Sequence, residues 1–126
     1  MKISPVYTKS APAPIGPYSQ ATVANGMLFI SGQIGLDPKT GEFAQGGLRE
    51  QAEQVMQNLL AILQFAGLGF KDVAKTSIFL APEQEFDVVN AVYGSHLEGN
   101  FPARETVWVA QLPKKALVEI SMIAVL

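Results

Sequence analysis

An α+β fold, with one mixed β-sheet and two helices packed on one of its faces, is the class this chain's pattern predicts. Two stretches with the 3.6-residue apolar period of a helix are set among short β-prone runs, and an Asn-Gly pair between two of those runs is a strong hairpin signal. The resulting order is β-ββ-α-β-α-ββ, with runs of strands, no internal repeat and no linker, so residues 1–126 read as one domain.

The first strand falls around Ile3–Tyr7. Ser10–Gln20, SAPAPIGPYSQ, is too rich in Pro and Gly for a helix or central strand and reads as an ordered extended loop that delivers Tyr18 to a definite place. Strands at about Ala21–Ala24 and Met27–Ser31 flank Asn25-Gly26, a pair suited to the positive φ angles of a type I′ turn. Ser31-Gly32 reads as a turn at a strand end, with a Gly32 N–H able to bind an anion.

From Leu48 to Ala66, Leu48, Ala52, Val55, Leu59, Ile62, Leu63 and Ala66 keep helical spacing, and Gly67 ends the helix. Asp72–Ala81 is the next strand. A second helix opens with Pro82 in its first turn and carries Phe86, Val89, Tyr93 and Leu97 on one stripe, which Asn90 shares. His96, near its C-terminus, is expected to be exposed. Two closing strands, about Arg104–Ala110 and Ala116–Val125, are separated by QLPKK. In the last one both alternating sets are apolar apart from Glu119 and Ser121, the pattern of a strand buried on both faces. The sheet face away from the helices therefore needs a cover, which a symmetric partner would supply.

At 126 residues with 48% hydrophobic content, the chain can bury about two-thirds of its unfolded surface and needs no staples. A net charge of −2, with nine basic residues spread singly or in pairs, gives no stripe to neutralise a row of phosphates, which argues against a nucleic-acid partner. Without cysteine there is no disulfide, thiolate nucleophile or thiolate metal site, and one histidine cannot build a His-based zinc site. Pro5, Pro12 and Pro14 break the N-terminal segment, which lacks the apolar centre of a secretory signal. No apolar run approaches the roughly 20 residues of a membrane span, so a soluble, cytoplasmic protein is expected.

The ionisable residues Arg104 and Glu119 stand in the two closing strands. Alternation puts Arg104, Thr106 and Trp108 on one face and Glu105, Val107 and Val109 on the other. One reading of Arg104 and Glu119 is a salt bridge, within the chain or to a neighbour. The other is chemical: a lone guanidinium at a strand end suits a bidentate grip on a carboxylate, and a dehydrated Glu119 has the raised pKa of a general acid or base. Tyr18 reads equally as a loop anchor and Asn90 as a cap for a buried backbone group. Trp108 reads as packing.

APIGPYSQA (Ala13–Ala21), FISGQIGLDPKTGE (Phe29–Glu42), FDVVNAVY (Phe86–Tyr93) and FPARETVWVAQLPKKALVEI (Phe101–Ile120) together resemble the RidA/YjgF family of imine and enamine deaminases. The resemblance implies a chorismate-mutase-like fold, assembled as a homotrimer around a central barrel with ligand clefts between subunits. It also implies hydrolytic deamination of 2-imino acids, of the 2-aminoacrylate and 2-aminocrotonate type, to 2-oxo acids and ammonia, with no metal or cofactor. On that resemblance Arg104 and the Gly32 N–H hold the substrate carboxylate, with Ser31 beside it. The Thr106 carbonyl accepts from the imine nitrogen, Glu119 activates water, and Tyr18 and Asn90 line the cleft. Where relatives read Arg-Ser-Cys or Arg-Ser-Thr, this chain has Arg104-Glu105-Thr106, so an added anion stands beside the carboxylate-binding arginine. Binding of a 2-oxo acid without turnover, and RNA cleavage with inhibition of translation, are the alternative functions.

Overall fold

Asn25 and Gly26, at φ of 51° and 75°, turn the chain between strands β2 (Ala21–Ala24) and β3 (Met27–Ile34). With β1 (Ile3–Val6), β4 (Val73–Leu80), β5 (Ala103–Trp108) and β6 (Val118–Val125), they form one six-stranded sheet in the order β1-β2-β3-β6-β4-β5. These elements come from a computed structural model that describes residues 2–126. All neighbouring pairs are antiparallel except β4 and β5, which run parallel because a helical crossover joins them. The mixed sheet with two helices agrees with the predicted class.

Helix α1 (Leu48–Phe65) buries Ala52, Val55, Met56, Leu59, Ile62 and Leu63 against the sheet. Gly67, at φ 80°, stops it: its N–H donates to the Gln64 carbonyl at 2.9 Å, and the Leu68 N–H donates to that of Leu63 at 2.8 Å. That pair of bonds satisfies carbonyls which the helix end would otherwise leave without partners.

Helix α2 (Phe86–Ser95) starts later than the sequence pattern suggests. Pro82 does not open it, because Glu83 takes a left-handed φ of 68° and the Gln84 N–H closes a turn on the Ala81 carbonyl at 3.2 Å. Helical geometry cannot pass through that residue. The expectation for His96 also fails. It is half-buried, 3.0 Å from the Glu53 carboxylate of α1, and meets the Phe70 ring edge-on, so it ties α2 to α1.

The core lies on the helix face, where Val118, Ile120, Met122 and Ala124 of β6 are buried with Leu28 and Ile30 of β3 and Ile78 and Leu80 of β4. The other face of β6 is different. Glu119, Ser121 and Ile123 are only half-buried, and Val125, Phe29 and Val107 are exposed beside them. Within one chain, then, β6 is buried on one face and not on both, since no helix crosses the second.

Candidate active site

Strand β5 is one of the two edges of the sheet, opposite β1, and its helix-side face carries Arg104, Thr106 and Trp108. The Arg104 guanidinium carbon lies 5.5 Å from the Phe86 ring centre and 5.2 Å from that of Tyr93, and its Nη1 donates to Asn90 Oδ1 at 2.9 Å. Phe86, Asn90 and Tyr93 share one stripe of α2, so a single helix face supplies two cation–π contacts and one hydrogen bond. Tyr93 is itself fixed by donating to Thr76 Oγ1 at 2.9 Å. Burial pushes its phenol pKa up, against the Thr76 bond and the charge of Arg104, so a neutral ring faces the guanidinium.

The backbone of β5 adds a second polar feature. The Val109 N–H donates inward to the Leu80 carbonyl at 2.9 Å. Because successive residues of a strand direct their N–H and C=O groups to opposite sides, those of Thr106 point off the free edge, beside Arg104. The Thr106 hydroxyl is buried and, among the described residues, has no hydrogen-bond partner.

Glu119 stands on the opposite face. It borders a cavity of about 200 Å³ with Pro12, Ile15, Tyr18, Gly32, Ile34 and Leu36 among its walls. Burial raises the pKa of its carboxyl above the ordinary glutamate range. Gly32 makes room for it: a β-carbon there would come 2.7 Å from the Glu119 Cδ. Ser31-Gly32 is not a strand end but an irregularity inside β3, where pairing with β6 shifts register between Ile30 and Gln33. Ser31 spends its hydroxyl on the Ser19 carbonyl at 2.6 Å, holding the strand to the loop that bears Tyr18.

That loop is organised by Gln20, whose side chain is 1% exposed. Its Oε1 accepts from the Thr8 N–H at 2.7 Å and its Nε2 donates to the carbonyls of Thr8, Ala11 and Pro12 at 3.0, 3.2 and 2.9 Å. Sequence reading singled out neither Gln20 nor the pairing of Phe86 and Tyr93 around Arg104. The latter had a signal, since both aromatics share Asn90's stripe; a glutamine in a Pro-rich loop has none.

The structure thus gathers the predicted residues into two groups. Tyr18, Gly32 and Glu119 meet in the cavity, with Ser31 behind them, while Asn90, Arg104 and Thr106 meet at the β5 edge. Register fixes the separation: Thr76 pairs with Arg104 on one face, and Phe79 pairs with Glu119 on the other. A salt bridge between Arg104 and Glu119 inside one chain is excluded. Among the described residues the Lys or Arg to carboxylate pair is Lys75–Glu105, and Glu53 has His96 Nε2 as its hydrogen-bond partner. Glu105 points away from Arg104, as alternation requires; it accepts a short hydrogen bond from Ser77 and lies 3.1 Å from Lys75 Nζ. Those two contacts hold its carboxyl below the usual range.

Fold and site together define a small α+β domain with a guanidinium held by two rings and an amide at one sheet edge and a half-buried acid beside a cavity on the other face. The profile of the endoribonuclease L-PSP family matches residues 8–126, and the chain belongs to that family, which includes the Rid and RutC proteins. It is 52% identical to a RutC family protein of Synechocystis, over 100% of this chain and 97% of that one. It is 43% identical to the human 2-iminobutanoate/2-iminopropanoate deaminase, over 95% of this chain and 88% of the relative. Among solved structures, RidA from an Antarctic Psychrobacter superposes with a TM-score of 0.92 at 42% identity, covering 96% of this chain and 98% of that one.

Proposed function

We propose that the chain hydrolyses 2-imino acids to 2-oxo acids and ammonia, in clefts formed where the β5 edge of one subunit meets the Glu119 cavity of the next in a ring of three. The observation that carries this reading is Arg104: a guanidinium clamped by Phe86, Tyr93 and Asn90, with no carboxylate of its own chain paired to it among the described residues. Such a cation is preorganised for a carboxylate brought from outside. The exposed apolar face around Phe29, Val107 and Val125 supports the assembly, since its burial would favour association. The deaminase name of the human relative supports the chemistry.

Arg104 holds the substrate carboxylate, helped by the Gly32 N–H of the adjoining subunit. The outward Thr106 carbonyl accepts from the protonated imine nitrogen and keeps C2 electrophilic. Glu119 takes a proton from water as its oxygen bonds to C2 and the C=N π pair moves to nitrogen. The proton then passes to nitrogen, the C–N bond breaks, ammonia leaves, and the hydroxyl proton is lost as the 2-oxo acid forms. Glu119 suits this work because its raised pKa lies nearer neutral pH than that of an exposed glutamate.

The test is an oxidase- or dehydratase-coupled assay of imine disappearance. Arg104→Ala should lower kcat/KM by about a hundredfold or more, with the circular dichroism spectrum unchanged, as truncating one partner of a hydrogen-bonded ion pair does. Equal hydrolysis by wild type and variant would refute the assignment. Saturable binding of 2-oxo acids with no acceleration would make the cleft a sensor instead.

A further inference from the structure

Helix α1 packs an apolar stripe on the sheet, yet two amides are buried with it: Gln51, 8% exposed, and Asn58, 1% exposed. Seven positions apart, they stand two turns from each other on one side of the helix. A buried amide is costly unless its polar atoms find partners. Asn58 Nδ2 donates to the Ile34 carbonyl at 3.3 Å and to the Leu36 carbonyl at 2.9 Å, and its Oδ1 accepts from Gln54 Nε2 at 2.9 Å. Gln51 Oε1 accepts from the Leu117 N–H at 3.0 Å.

The backbone groups held in this way flank Glu119. Ile34 is its register partner and forms with it the end pair of β3 and β6. Leu117 lies two positions before it, and the Leu117 carbonyl accepts from the Ala81 N–H at 3.0 Å. After Ile34 the chain turns at once, with the Leu36 N–H donating to the Ile34 carbonyl at 2.7 Å. Gly35, at the centre of that turn, lies flush on α1: a β-carbon there would come 2.8 Å from the Gln51 Cα. The sheet itself holds this end weakly, because the β3–β6 ladder is interrupted between Ile30 and Gln33, just before the pairs that include Glu119. Burial is the one cause of the raised Glu119 pKa, with no hydrogen bond of the chain contributing. The carboxylate therefore stands where its strand is set.

We infer that Gln51 and Asn58 are positioning residues for Glu119: from the helix side of the sheet they fix the two strand ends that decide where its carboxylate stands on the other side. The inference rests on the proposed function for the water that Glu119 activates. It makes α1, which contributes no group to the cleft, part of what sets the rate.

The test is a double-variant cycle on imine hydrolysis. Gln51→Met keeps the bulk and helix preference of the side chain and removes the acceptor for Leu117. It should lower kcat by about tenfold with KM within about twofold, because a displacement well under 1 Å is enough. Asn58→Leu, which leaves two carbonyls without their donor and is the harder change for the fold, should do at least as much. In a Glu119→Gln background, Gln51→Met should cost less than about twofold, since the group it positions is gone. A residue that only stabilised the fold would lower the melting temperature and show no such coupling. Gln57→Ala, on the exposed side of the same helix, should change neither.

Carboxyl-carbon NMR reads the same device without turnover. In Gln51→Met the Glu119 titration should fall toward the ordinary glutamate range, as a loosened strand pair admits water. An unchanged kcat, an equal loss in both backgrounds, or a Glu119 titration that stays at its wild-type value in the folded variant would overturn the inference. Should the wild type not accelerate imine hydrolysis, the hydrolase reading fails and the titration alone decides the positioning.

Discussion

Arg104 and Glu119 point to opposite faces of one sheet, because Thr76 and Phe79 of β4, three residues apart, are their respective neighbours in register. An odd offset along a strand is a change of face. Two groups so placed cannot act on one small molecule within a chain, but they can across two copies arranged head to tail, edge of one against cavity of the next.

Glu119 should control the acid limb of the reaction. Its carboxyl is raised by burial, so the folded state binds a proton more readily than the unfolded chain. Activity should therefore fall as pH drops through a value above the ordinary glutamate range. Glu119→Gln should lose about 10²–10⁴-fold in kcat and abolish that limb. Stability should move the other way: it decreases as pH rises from the ordinary range through the raised value, and the variant should remove that slope. Rate profiles and thermal melts from pH 4 to 8 read both, and an acid limb retained by Glu119→Gln would contradict the role.

Gly32→Ala should separate fold from function. The added β-carbon crowds the Glu119 carboxylate, which is the far end of a flexible side chain and can swing aside at little cost to stability. Displacement of a catalytic group by about 1 Å costs on the order of a hundredfold in rate. We expect that loss in kcat/KM with a nearly unchanged melting temperature; wild-type activity would show that the contact does not matter.

Glu105 should be a bystander to the chemistry. It lies across the sheet from the Arg104 guanidinium and is paired with Lys75 and Ser77. Glu105→Gln should keep kcat/KM within about twofold, since a paired, exposed charge contributes little beyond its neighbours. A large gain for the variant would mean that the anion does reach the carboxylate grip.

What could be read from the sequence was local. The spacing of Val55, Leu59 and Ile62 located α1, Asn25-Gly26 located the hairpin, and alternation alone turned Glu105 away from Arg104. What could not be read depended on pairing between distant segments. Whether Arg104 and Glu119 share a face is set by which residues of β4 each strand meets, and no periodicity within β5 or β6 carries that register. The late start of α2 hinges on the left-handed Glu83, a conformation that glutamate seldom signals. The apolar outer face of β6 was legible as a surface needing a cover, and the chain itself leaves it open.

The most direct test of a shared site mixes two inactive variants. Arg104→Ala and Glu119→Gln, each nearly inactive alone, should be co-refolded in equal amounts and assayed for imine hydrolysis. In a head-to-tail ring, about a quarter of the interfaces would then join an intact Arg104 to an intact Glu119, so activity should return to about a quarter of wild type. A mixture that forms the same oligomer yet stays as inactive as its parents would contradict a site built from two subunits.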